Sequence, residues 1–116
     1  PVSGAFHSPL MAEAAREFEG LLKKVEWSEP ACPVVFNVTA GAEQDPANIR
    51  DIMIRQMTSS VLWIKGLEKQ WDLGARNWLE IGPKNVLAKI LSANLKGRDE
   101  EWTSGNAGSL EAVLGL

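Results

Sequence analysis

Two residue pairs constrain this chain more than any other feature: Ser8-Pro9 and Asp45-Pro46. In each, a side-chain acceptor stands just before a proline. Ser or Asp at a helix N-cap bonds an orphan amide of the first turn, and proline at the first helical position gives up an N–H that has no partner there. Each pair therefore predicts a helix start. Each also follows a short segment of strand character. Pro1 to Phe6 is partly apolar and reads as a strand or an extended lead-in, and Val34-Val35-Phe36-Asn37-Val38 is β-branched and aromatic between Pro33 and the turn-prone Ala40-Gly41.

The rest of the chain repeats this alternation. After Pro9, Leu10, Ala14, Phe18, Leu21, Leu22 and Val25 recur at helical spacing on one predicted face, and Trp27 to Pro33 ends that helix. After Pro46 the stripe is Ile49, Ile52, Met53, Gln56 and Met57, broken by Thr58-Ser59-Ser60. A third helix is predicted from about Val61 to Leu73, striped by Trp63, Leu67 and Trp71, with Gly74 as a left-handed C-cap. Trp78-Leu79-Glu80-Ile81 is a strand stopped by Gly82-Pro83. A fourth helix from about Asn85 turns Val86, Leu87, Ile90, Leu91 and Leu95 inward.

Beyond Gly97 the polar run to Ser109 reads as a mobile tail, with a closing helical turn or two from Ser109 to Leu114. The predicted order is β-α-β-α-α-β-α with a polar tail. That is an α/β arrangement, with residues 1–95 as the folded portion and 96–116 as the tail. Its thin sheet needs partner strands. The start at Pro1 without a methionine, inside an apolar segment, reads as a piece of something longer.

Composition excludes several classes of function. With 12 Lys and Arg against 15 Asp and Glu, a net charge of -3 does not suit a nucleic-acid surface. No apolar run reaches the ~20 residues of a membrane span. Cys32 stands alone, which precludes an internal disulfide and fits a reducing, cytoplasmic setting. One His and one Cys far apart offer no metal-ligand spacing.

His7 is the single histidine, at a predicted strand-to-helix junction where α/β folds collect catalytic groups. From the residues alone it is either a general base or a side chain that packs or caps the helix. A base needs an attacker, and none is apparent. There is no Gly-x-Ser-x-Gly elbow, Ser8 is adjacent to His7, and Cys32 between Ala31 and Pro33 reads as a small buried apolar residue. Gln56 is a polar residue on an apolar helix face, either hydrogen-bonded there or reaching to the helix edge. Gly82-Pro83 is a turn whose following amides could hold an anion. The tryptophans lack a basic groove and read as packing.

Four segments together resemble one family. Val2-Ser3-Gly4-Ala5-Phe6-His7-Ser8-Pro9-Leu10-Met11 is similar to the histidine motif of malonyl-CoA:acyl carrier protein transacylases and of synthase acyltransferase domains. Pro33 to Ala40 resembles the strand that follows it. Ile49-Arg50 through Arg55-Gln56, then Val61 and Trp63, resembles the family's Ile-Arg…Gln…Pro-Val-x-Trp stretch. Glu80-Ile81-Gly82-Pro83 with Val86-Leu87 resembles its Glu-x-Gly-Pro-Gly-x-Val-Leu signature. The likeness runs from residue 1 to about 95. Ser60 departs where Pro is common, and Lys84 departs where Gly is common.

The resemblance implies the C-terminal portion of the transacylase fold, inactive alone. It also implies a seryl ester that carries malonyl from CoA to the phosphopantetheine thiol of acyl carrier protein, for fatty acid biosynthesis. Malonyl-CoA and the phosphopantetheinyl carrier are substrates, and no covalently bound cofactor is implied. His7 matches the family's general base. Gln56 matches the position whose backbone carbonyl orients that imidazole, and Phe6 matches a substrate-binding position that disfavours a methyl branch. The serine elbow, the arginine for the malonyl carboxylate and the oxyanion loop belong upstream, so the N-terminal part of the same enzyme is an implied partner. Two other readings stand beside this one: a fragment of a polyketide-synthase-type acyltransferase domain, and a non-catalytic domain that dimerises through its incomplete sheet.

Overall fold

Ser8 is extended (φ -136°, ψ 162°), and its hydroxyl oxygen accepts the Leu10 amide at 3.3 Å. The cap opens a single 3-10 turn at Pro9–Met11, which runs into helix α1, Ala12–Leu22. The turn changes the winding, so Leu10 falls off the expected stripe and is 83% exposed, and Leu21 and Val25 also face outward. The buried stripe is Ala15 and Leu22. The Trp27 indole N–H donates to the Leu22 carbonyl at 3.0 Å and closes the helix end. The computed structural model describes residues 4–115. Their contacts divide the chain after Lys69 into two units.

In the first unit, strands β1 (Val34–Val35) and β2 (Ala42–Glu43) form an antiparallel pair, with Val34 opposite Glu43 and Val35 opposite Ala42. The sequence predicts a longer strand here. The chain turns back after Phe36, and Ala40 at φ 53° carries the reversal, so Asn37 and Val38 lie in the turn. Helix α2, Pro46–Arg55, starts as the Asp45-Pro46 pair predicts, with Asp45 Oδ1 accepting the Asn48 amide at 2.9 Å. Its Ile49 and Ile52 are buried, and α2 packs on α1. Each such aliphatic side chain removed from water contributes about 1.5–3 kcal/mol, against about 0.5–2 kcal/mol for a cap. Helix α3, Trp63–Asp72, begins in this unit and buries Leu67.

The expected first strand at Pro1 to Phe6 falls partly outside the described residues. Gly4 to Phe6 are not a strand but the approach to a turn. The Ser8 hydroxyl donates to the Ala5 carbonyl at 2.7 Å and draws the segment back on itself.

In the second unit α3 is closed off by Gly74, φ 92°, just beyond its last residue, Asp72. The Gly74 amide bonds the Trp71 carbonyl at 2.9 Å, and the Ala75 amide bonds the Gln70 carbonyl at 3.0 Å. This is the paired closure that a left-handed glycine allows. Strand β3, Asn77–Ile81, leads through Gly82-Pro83 into helix α4, Val86–Leu95, which buries Ala88, Leu91 and Leu95. Val86, Leu87 and Ile90, expected inward, are exposed, because a two-stranded sheet covers only one stripe of the helix.

The tail expected at 96–116 is corrected. Thr103–Ala107 is a strand, β4, parallel to β3 in unbroken register from Asn77–Thr103 to Ile81–Ala107, while the closing helical turn expected from Ser109 is there as a short helix, α5, Leu110–Leu114. Two side-chain bonds reinforce the pairing: Thr103 Oγ1 to Asn77 Oδ1 at 2.6 Å, and Asn106 Nδ2 to the Gly82 carbonyl at 2.9 Å. Among the described residues no helix is long and apolar enough to cross a membrane.

Candidate functional site

His7 occupies a left-handed backbone conformation, φ 62°. For a non-glycine residue that costs about 1–2 kcal/mol and needs support from its surroundings. The support comes from the C-terminal end of α2. The His7 amide donates to the Met57 carbonyl at 2.9 Å, and ring Nδ1 lies 3.0 Å from the Gln56 carbonyl. The last carbonyls of a helix have no intrahelical donor, so the C-cap Gln56 offers His7 one acceptor, and Met57 in the turn just after α2 offers the next. At about 1 kcal/mol each, two such bonds offset the strain of the turn.

The Nδ1 contact fixes the tautomer. A carbonyl oxygen can only accept, so Nδ1 must carry a proton, and in the neutral ring Nε2 is left with the lone pair. His7 is exposed, and Nε2 has no hydrogen-bond partner among the described residues. The arrangement is an oriented imidazole with its basic nitrogen open. It can take a proton from a hydroxyl or thiol brought to it, and return that proton to a leaving group.

The structure brings His7 and Gln56 together, although 49 positions separate them. The Gln56 contact uses the backbone. The side chain is half-buried and reaches only the Met53 sulfur, at 3.6 Å. Phe6, beside His7, is 55% exposed, and its ring lies over Gly4, where an added Cβ would meet it at 3.2 Å. The Met57 carbonyl and the Ser8–Ala5 bond are parts of the site that sequence reasoning missed. A carbonyl acceptor leaves no mark in a sequence, and Ser8 reads there only as a cap.

Other candidates drop away. Ser8 Oγ donates to Ala5 rather than to the imidazole. Cys32 is exposed, against the expectation of a buried thiol. At the turn after Gly82, Glu80 places its own carboxylate on the helix start, with Oε2 2.9 Å from the Ala88 amide of α4. The bond from Ala88 holds that carboxyl below the ordinary glutamate range, against the opposing effect of desolvation. Among the described residues no His, Cys, Asp and Glu cluster could hold a metal ion. A groove of about 550 Å³ in the first unit is lined by Glu19, Glu43, Asp51 and Arg55 and does not include His7.

No family model matches the chain. The malonyl CoA-acyl carrier protein transacylase of Staphylococcus aureus is 38% identical over 103 residues, which is 89% of this chain and 33% of that protein. A polyunsaturated fatty acid synthase polypeptide of Thraustochytrium is 35% identical over 79% of this chain and 3% of its own length. Among solved structures, an acyl carrier protein S-malonyltransferase from Vibrio cholerae superposes with a TM-score of 0.84 at 31% identity, covering 99% of this chain and 36% of that one. A malonyl transacylase solved in complex with its type II polyketide acyl carrier protein superposes at 0.82 and 29% identity, covering 97% of this chain and 35% of that one. The fold is thus a portion of the transacylase α/β fold, and the chain spans about a third of the length of the curated relatives it matches.

Proposed function

We propose that this chain, alike in sequence and fold to a third of the malonyl CoA-acyl carrier protein transacylases, carries the general base of such an enzyme, His7. The observation that carries the reading is the Nδ1 contact with the Gln56 carbonyl at 3.0 Å, which leaves Nε2 as the basic nitrogen.

In this reading the nucleophilic serine comes from the N-terminal part of the enzyme. Nε2 of His7 takes the serine proton as the oxygen attacks the malonyl thioester. The tetrahedral adduct collapses, the carbon–sulfur bond breaks, and the imidazolium returns the proton to the CoA thiolate. In the second half the thiol of phosphopantetheinyl acyl carrier protein gives its proton to Nε2. The new thiolate attacks the seryl ester, and the proton passes to the serine oxygen. The Gln56 carbonyl holds the ring through both transfers, in the place an Asp carboxylate fills in a triad, but without a full charge. Malonyl-CoA and the carrier protein are the substrates, no cofactor is required, and the setting is cytoplasmic. Phe6 borders the acyl site and disfavours branched acyl groups. The chain alone, without the serine, is inactive.

The match to a fatty acid synthase supports a second reading, in which the same chemistry belongs to an acyltransferase domain of a larger synthase. Replacing His7 by Ala in the intact enzyme tests the shared mechanism. The rate of seryl-ester formation from malonyl-CoA is expected to fall by about 10³-fold or more, and near-normal labelling of the serine would remove His7 from the reaction.

A further inference from the structure

We propose that Ser8 is a positioning residue for His7, locking the imidazole tautomer by pinning the chain on both sides of the left-handed turn. The proposal rests on His7 acting as the base but makes a separate claim about what holds it. The Ser8 hydroxyl makes two bonds of opposite sense. It donates to the Ala5 carbonyl at 2.7 Å, two residues before His7, and accepts the Leu10 amide at 3.3 Å, three residues after it. The Ser8 carbonyl also accepts the Met11 amide at 3.1 Å. His7 sits between these ties at φ 62°, a conformation it would leave for the common right-handed or extended regions if one side were freed. Leaving it would carry the ring off the Gln56 carbonyl, and with that bond would go the preference for a proton on Nδ1. The bond to Leu10 is ordinary capping. The bond to Ala5 is the one a cap does not need, and it is the one that reaches across His7.

The two bonds can be separated chemically. Threonine keeps both a donor and an acceptor. Aspartate caps a helix as well as serine does, but ionised it has no proton to give Ala5. His7 is the only histidine in the chain, so long-range ¹H–¹⁵N spectra show a single imidazole. The wild-type chain and Ser8→Thr are expected to show a pyrrole-type Nδ1 and a pyridine-type Nε2 at pH 8. Ser8→Asp and Ser8→Ala are expected to show nitrogens averaged between tautomers, with helical circular dichroism retained in Ser8→Asp. Wild-type ring shifts in Ser8→Asp and Ser8→Ala would overturn the proposal, as would averaged shifts in Ser8→Thr. If instead the ring behaves as expected while His7→Ala in the intact enzyme transfers malonyl normally, the lock stands and the assignment of His7 as base falls.

Discussion

Glu80 caps a helix that begins six residues after it: its Oε2 accepts the Ala88 amide at 2.9 Å from the penultimate position of β3. The N-cap proper, Asn85, makes no side-chain bond and sits at φ 53°, so the carboxylate stands in for it. A negative charge at a helix N-terminus also meets the positive end of the peptide dipoles. The folded chain thus binds the ionised carboxyl best, which is why its pKa is lowered by the Ala88 bond first. The stability this contributes is fully present above the unfolded pKa and is lost as pH falls through the lower folded value. Glu80→Gln is expected to lower Tm by a few degrees at pH 7, with the difference from wild type closing in acid. Thermal unfolding across pH 2–7 measures it. A gap independent of pH would show that the charge is irrelevant.

Lys84 sits in the same turn at φ 80°, followed by Asn85 at φ 53°. Asparagine tolerates that region and lysine does not. Lys84→Gly is expected to stabilise the chain by about 0.5–1.5 kcal/mol, since relief of strain outweighs the added freedom of the unfolded state, whereas Lys84→Ala should gain nothing. Urea denaturation of the two variants distinguishes them.

Glycine is common at that position in the family the sequence resembles, so the departure was legible; its backbone cost was not. Where the deciding signal is local, the sequence speaks plainly. Ser8, Asp45 and Gly74 each act on amides or carbonyls within five residues, and each caps as its type predicts. Where the deciding partner is distant, the sequence is silent. Gly105-Asn106, in the middle of Thr103–Ala107, is poor strand material. The segment becomes β4 through its register with β3 and through bonds such as Thr103 to Asn77, 26 positions away. The same holds at the candidate site. His7 stands out as a lone histidine and Gln56 as a polar residue on an apolar face, but the carbonyls of Gln56 and Met57 carry no side-chain signature, and only the family resemblance points to the Gln56 carbonyl.

Arg76 holds the second unit together more tightly than its surface ion pair implies. Its guanidinium lies 3.9 Å from the Trp71 ring centroid, and Nη1 donates to the Trp71 and Ala75 carbonyls at 2.8 and 2.7 Å. Nε and Nη2 both reach one oxygen of Glu100, at 2.8 Å each. Glu100 is 62% exposed, so the ion pair itself is worth little. Glu100→Gln should therefore cost less than about 1 kcal/mol, and Arg76→Ala about 1–3 kcal/mol. Arg76→Lys should recover under half of that, because an ammonium cannot stack flat and bond both carbonyls together. Denaturant midpoints for the three variants give the comparison, and equal losses for Glu100→Gln and Arg76→Ala would mean the ion pair dominates.

The role proposed for Gln56 separates backbone from side chain, and mutation can test that separation. Its amide reaches only the Met53 sulfur at 3.6 Å, while its carbonyl lies 3.0 Å from His7 Nδ1. A backbone carbonyl survives every side-chain substitution that leaves the end of α2 folded. Alanine, a strong helix former, keeps the Gln56 amide bond to the Ile52 carbonyl, 3.1 Å long. In the transacylase proposed for the intact protein, Gln56→Ala is accordingly expected to change kcat/KM for malonyl transfer by no more than about threefold, against about 10³-fold for His7→Ala. A hundredfold loss in Gln56→Ala, with the ring nitrogens of His7 unaltered, would show that the side-chain amide acts on substrate and that the carbonyl alone does not explain this position.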